Sequence, residues 1–161
     1  MRRRMITLHA YGTWMPDKPK GFAHRQHGLL PTNRGLAGAY RKNQAEATVY
    51  LNGDMQRMLI ESSLDSMGFL DTTPLVIATE PTHLHIVFAW GHERDGAALA
   101  RSIRLRLTRD LNLAWGRRAA WWTAKGRLSP VKDDAHLAYL RSEYLPSHRG
   151  WKWDGERGLY R

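Results

Sequence analysis

Two apolar runs with a short break between them constrain the fold of this chain more than any other feature. Thr73 to Thr79 (TPLVIAT) and His83 to Trp90 (HLHIVFAW) are dense in β-branched and aromatic residues, and Pro81-Thr82 punctuates the chain between them. Runs of this length and composition flanking a short break predict two antiparallel strands of one hairpin. A hairpin buries too little apolar surface to stand alone, so the rest of the chain must supply further strands and a covering layer. A first strand is predicted over residues 5–11 (MITLHAY), with the basic start Arg2-Arg3-Arg4 outside it. Residues 12–36, rich in Gly, Pro, His and Lys, read as a long loop.

A helix is predicted over residues 43–67, with Met55, Met58, Leu59, Ser62, Ser63 and Met67 near helical spacing and Gly68 as its stop. A second helix is predicted over 96–115, where Leu99, Ile103, Leu107 and Leu111 mark one apolar stripe. Trp121 to Lys125 and Leu128 to Val131 read as a last pair of short strands. Asp133 or Asp134 caps a final helix running to about Tyr144, where Leu145-Pro146 ends or distorts it. A basic, aromatic tail follows, from Arg149 to Arg161. The order β-α-β-β-α-β-α predicts an α+β fold, a ferredoxin-like (RRM-like) antiparallel sheet with helices packed on it. No repeat or second core interrupts the chain, so residues 1–161 read as a single domain.

Composition narrows the chemistry. The 161 residues suffice for a core without staples, and the absence of cysteine removes disulfides and thiolate metal sites. No apolar run approaches the roughly 20 residues of a membrane span, and the basic start is not followed by a signal-like apolar region. The expected setting is therefore the cytoplasm, with no membrane partner. Lys and Arg total 25 against 15 Asp and Glu, a net charge of +10, which points to a polyanionic partner. Seven Trp and six Tyr among these cations suit unstacked bases. About half of the tryptophans are expected in the core.

On a strand, His83 and His85 fall on one face, with Leu84 turned the opposite way. Two neutral imidazoles side by side form half of a metal site. On the final helix Tyr144 and His148 are four apart, as are Tyr139 and Glu143. Each pair offers a phenol nucleophile with a neighbouring ligand, and the residue pattern leaves both open. A phenol near pKa 10 attacks poorly until its surroundings or a metal-polarised phosphate assist. Arg101, Arg104, Arg106, Arg109, Arg117 and Arg118 are the candidate phosphate contacts.

Three ordered motifs resemble the single-tyrosine HUH transposases, the insertion-sequence 200/605 group and the REP-associated tyrosine transposases. The opening Tyr11-Gly12-Thr13-Trp14-Met15-Pro16 with Lys20-Gly21-Phe22 is similar to their first strand and turn. Thr82-His83-Leu84-His85-Ile86-Val87 resembles their Asn-His-hydrophobic-His strand, with Thr82 in place of Asn. Trp121-Trp122, Gly126 and Asp133 to Leu137 resemble the run before their catalytic helix. Glu143-Tyr144-Leu145-Pro146-Ser147-His148 falls where the family carries its tyrosine and a ligand four residues on; Pro146 departs from that pattern, and a one-residue slip aligns Tyr144.

The resemblance spans roughly residues 5 to 150. It implies a ferredoxin-like fold, a nucleophilic Tyr144 on a C-terminal helix, and metal ligands His83, His85 and His148. Tyr139 stands as the alternative nucleophile and Glu143 as the alternative ligand. It further implies Mg²⁺ or Mn²⁺, and cleavage and rejoining of single-stranded DNA beside hairpins through a 5′-phosphotyrosine. The DNA substrate would be nucleoid-associated and the protein a monomer or homodimer. The alternatives are a hairpin-binding protein derived from such a transposase that does not cut, and a metal-dependent nuclease with no covalent step.

Overall fold

The expected hairpin is the centre of the sheet. In the computed structural model, which describes residues 1–24, 26–123 and 126–161, β4 (Thr73–Glu80) and β5 (His83–Trp90) pair antiparallel, with Glu80 opposite His83 and Ala78 opposite His85. In full, the order is β1 (Arg2–His9), β2 (Phe22–His24), β3 (Gly28–Leu30), α1 (Arg34–Lys42), α2 (Gly53–Phe69), β4, β5, α3 (Gly96–Trp115), β6 (Arg127–Pro130), α4 (Asp134–Tyr139), a π-helical turn (Leu140–Tyr144), β7 (Lys152–Asp154) and β8 (Gly158–Tyr160). Among the described residues the main sheet has six strands in the order β6-β1-β5-β4-β7-β8. Every pairing in it is antiparallel. The protein is thus α+β, and β6-β1-β5-β4 with its two helical crossovers is the ferredoxin-like arrangement the element order predicts.

Alternation along the strands divides the sheet into two unlike faces. Ile6, Leu8, Leu84, Ile86 and Ile77 point to one side, where Leu59, Ile60 and Met67 of α2 and Leu99, Ile103, Leu107 and Leu111 of α3 complete the main core. The α3 stripe is fully buried, as its four-residue spacing requires, and Asp95 caps the helix by accepting from the Ala97 and Ala98 amides, both at 3.1 Å. On the other side Val76, Ala78 and Val87 meet Val131, Leu140 and Leu145, a smaller core that seats α4 and the π turn. Three of the seven tryptophans, Trp90, Trp121 and Trp122, are buried.

Several boundaries differ from the sequence expectation. The first strand starts at Arg2, because Arg2, Arg3 and Arg4 pair with Trp90, Ala89 and Phe88. The expected loop 12–36 contains the β2–β3 hairpin and the start of α1. The expected helix 43–67 begins only at Gly53. The amides of Val49 and Leu51 instead donate to the carbonyls of Tyr11 and Pro81 at 2.9 and 2.8 Å, with both side chains buried. Asn52 then caps α2 by accepting from the Met55 amide. Trp122 makes a single bridge to Ala10 rather than a strand beside 128–131, while β6 pairs with β1; Ala124 and Lys125 of that expected strand lie outside the described residues.

The final helix is the most informative departure. Asp133 caps it, accepting from the His136 amide at 2.7 Å. After one and a half turns it widens: the Leu145 amide bonds to the Leu140 carbonyl at 3.0 Å, five residues back instead of four. Proline at 146 has no amide to donate, and its ring would strike the carbonyl four residues back in a regular helix; a wider turn relieves that clash. The tail is ordered as β7 and β8, which extend the sheet beyond β4.

Candidate metal and tyrosine site

The site lies at one end of the smaller-core face. The register places Thr7 beside His85 and Ala78, and His9 beside His83 and Glu80, so all six side chains emerge on that face. His148 comes from the turn after Pro146. The ring centroids of His83 and His85 are 4.8 Å apart, those of His83 and His148 5.2 Å, and those of His85 and His148 4.9 Å. A ligand nitrogen from each lies within 4.8 Å of the others. His85 and His148 are buried and His83 is half-buried.

Each ring has its Nδ1 engaged. The Thr7 and Thr82 hydroxyls lie 2.9 Å from Nδ1 of His85 and His83. His148 Nδ1 faces the carbonyls of Tyr144 and Leu145 at 3.1 and 3.2 Å, which requires it to carry the proton and donate. In the neutral ring that tautomer leaves Nε2 as the lone-pair nitrogen. His85 Nε2 is buried and has no hydrogen-bond partner among the described residues. A buried unpaired nitrogen costs free energy unless something fills it, and rings oriented through Nδ1 with Nε2 turned inward are the usual support of a metal-ligating triad. Burial also keeps the rings of His83 and His85 neutral. It drives His85 down to about 3, with the neighbouring His83 and His148 adding to the effect, and His83 down to about 4, where nearby Glu80 opposes the shift. Neutral imidazoles are the form a cation binds. The residues present therefore fit a divalent ion, and a donor set of three imidazoles suits Mn²⁺ better than Mg²⁺, which favours oxygen.

Tyr144 ends the π turn with its ring 5.6 Å from His85 and 5.2 Å from His148, nearly perpendicular to the latter. Burial raises its pKa above the usual value of 10, as do Tyr139 and Glu80, while Arg127 pulls it down. Tyr139 stacks on the outside of Tyr144 at 6.2 Å and 22°, an alignment that a five-residue turn produces and a four-residue turn does not. Glu143 is exposed and outside the histidine group. The four-residue pairing of Tyr139 with Glu143 thus lies away from the imidazoles, and Tyr144 is the tyrosine packed on them.

The turn is held from behind. Arg141 makes two hydrogen bonds to Asp154 of β7, at 2.9 and 2.8 Å, and a third to Glu156. Lys152 is buried and donates to the carbonyls of His148 and Gly150 at 2.7 and 3.0 Å. A Cβ on Gly150 would lie 2.1 Å from the Thr79 carbonyl oxygen, so only glycine lets this segment lie against β4.

The six candidate arginines divide. Arg106 pairs with Asp110 at 2.7 Å; Arg118 bonds the Ala47 carbonyl, lies 3.5 Å from Glu46 and stacks over Trp121, so both serve the fold. Arg101, Arg109 and Arg117 are exposed and Arg104 is half-buried. All four are carried by α3 or the segment after it, and α3 covers the sheet face opposite the histidines. Thr7, Glu80, Arg127, Arg141 and Lys152 were not singled out in the sequence. A threonine inside an otherwise apolar strand, two residues before a histidine, is the signal that would have marked Thr7.

Comparison with known proteins adds little. No protein-family model matches the sequence, and no curated protein matches it. Among solved structures, the chain is similar to a REP-associated tyrosine transposase bound to a REP hairpin, with a TM-score of 0.49 and 10% identity over 89% of this chain. This chain covers 64% of that protein's length.

Proposed function

We propose that this protein cleaves and rejoins single-stranded DNA beside hairpins, with Tyr144 as nucleophile and His83, His85 and His148 as ligands of Mn²⁺ or Mg²⁺. One observation carries the reading: three imidazoles, each oriented through Nδ1, converge with a buried unpaired Nε2 directly against the ring of a tyrosine. A packing histidine does not need an orphaned nitrogen, and a binding module does not need a phenol beside it. The motif resemblance to single-tyrosine HUH transposases supplies the substrate class and the polarity of the link.

When bound, a divalent ion polarises phosphoryl oxygens and offsets charge developing on them. The chain's own residues do the rest. Thr7 and Thr82 fix the rings of His85 and His83. The π turn sets Tyr144 Oη to attack phosphorus as its proton passes to solvent. The P–O3′ bond breaks, the departing oxygen takes up a proton to become a 3′-hydroxyl, and the 5′-phosphate stays on Tyr144. The phosphodiester is conserved, so a second 3′-hydroxyl can reverse the step without ATP.

The reading is tested by incubating labelled hairpin-flanked single strands with protein and Mn²⁺, followed by a denaturing gel. An adduct in wild type and Tyr139→Phe, absent in Tyr144→Phe and His83→Ala, is the expected result. Binding with no adduct under any metal favours the second reading, a hairpin-binding relative that does not cut. The observation behind that alternative is the raised pKa of Tyr144, which keeps the phenol protonated. Cleavage with no adduct indicates a nuclease that uses water.

A further inference from the structure

A groove of about 430 Å³ runs between the start of α3 and the edge strand β6. Its floor is Ile6 and Leu128, cross-strand partners in the sheet, and its α3 wall is Ala97 and Ala100. Two alanines three apart keep the helix wall low, and the next positions on the same helical face are Arg101 and Arg104. Arg127 closes the opposite rim. The groove therefore has an apolar bed, Arg101 and Arg104 along its α3 margin, and Arg127 at the β6 edge, in register with Thr7 and with its charge acting on Tyr144. Among the described residues none of the three is in an ion pair, unlike Arg106, Arg118 and Arg141.

Arg127 straddles the sheet edge. It lines the groove, yet its cross-strand partner is Thr7, whose hydroxyl orients His85 on the opposite face. Among the described residues β6 is the last strand of the sheet, so no further strand lies between the groove and the site face at that edge.

We infer that this groove is a binding track for single-stranded DNA, in which Arg101 and Arg104 hold phosphates, the apolar floor receives an unstacked base, and Arg127 leads the backbone round the β6 edge to the tyrosine site. Guanidinium groups match phosphate oxygens bidentately, and an apolar bed takes a base without reading its sequence. The inference rests on the single-strand substrate of the proposed function, but not on catalysis.

The test uses full-length protein carrying Tyr144→Phe, so that no covalent capture intervenes, and a fluorescent hairpin with single-stranded flanks. Affinity is measured across salt for Arg101→Ala, Arg104→Ala and Arg127→Ala, with Lys42→Ala, an exposed cation on α1, as a control outside the groove. Each groove substitution is expected to weaken binding by about tenfold and to lower the salt slope by about 0.7. Lys42→Ala is expected to change affinity less than twofold, and a blunt hairpin without flanks should be insensitive to all four. In the Tyr144 background, Arg127→Ala is expected to slow adduct formation further than its binding loss explains. Groove variants that bind the flanked hairpin like the parent overturn the track, even if wild type forms the adduct. If wild type forms no adduct but the groove variants lose flank-dependent binding, the track stands and the catalytic reading fails. Thermal melts of each variant separate loss of binding from loss of fold.

Discussion

At the scale of single residues, the buried Nε2 of His85 summarises the site. The ring has one nitrogen satisfied by Thr7 and the other, among the described residues, unsatisfied beside the rings of His83, His148 and Tyr144. Thr7→Val removes the orienting hydroxyl at nearly constant volume, and is expected to lower Mn²⁺ affinity by about 10-fold or more in calorimetric titration. Tyr144→Phe removes only a hydroxyl that makes no hydrogen bond among the described residues. It should abolish the DNA adduct while unfolding free energy moves by less than about 1 kcal/mol. Protonation acts on the same rings. His83 and His85 have folded pKa values near 4 and 3, below the ordinary 6.5. Between those values the unfolded chain binds more protons, so stability rises with pH there. The metal-free protein is therefore expected to hold its full melting temperature above pH 6.5 and to lose it progressively as the pH falls toward 4. His85→Ala should flatten that profile.

At the scale of elements, the π turn and the β7–β8 hairpin act as a pair. The turn carries Tyr144 and leads directly to His148, and its Arg141 is clamped to Asp154, a carboxylate only 10% exposed. Arg141→Ala leaves that carboxylate without its partner and is expected to cost about 2–3 kcal/mol in denaturant melts, with a loss of Mn²⁺ affinity in the same variant. Gly150→Ala forces a Cβ onto the Thr79 backbone and Gln56, and should destabilise by about 2 kcal/mol or more. The bounds of α3 and the central hairpin were legible in the sequence because their patterns are local: a four-residue apolar stripe, and two β-branched runs across a proline break. The π turn was legible only as a disturbance at Pro146. Its consequence depends on which hydrogen bonds the packed chain can rearrange, and no local pattern encodes that.

At the scale of the whole molecule, the sheet separates two tasks. The α2–α3 face holds most of the apolar core, while the opposite face bears the polar site over a smaller one. A ligand that joins β5 to the turn after α4 ties together segments distant in sequence, and such binding stabilises the folded state by mass action. Mn²⁺ at about a hundred times its dissociation constant is expected to add about 2.7 kcal/mol of stability, seen as a raised melting temperature that a chelator reverses. The same addition should do nothing to His85→Ala. Among the described residues no helix is long and apolar enough to cross a membrane.

The sequence by itself determined what alternation, spacing and charge encode. It determined the ferredoxin-like order of strands, the shared face of His83 and His85, and a cationic, aromatic surface. Those follow from the two-residue period of a strand, the 3.6-residue period of a helix and the count of charges. Only the tertiary structure decided which tyrosine meets the imidazoles and which arginines are already engaged. It placed Tyr144 inward and Tyr139 outward through a one-residue widening. It gave Arg106 and Arg118 to the fold and left Arg101 and Arg104 beside a groove completed by Arg127. Each of those outcomes depends on contacts between residues far apart in the chain, settled by which groups must be buried, paired or left in water once the sheet and its two faces have formed.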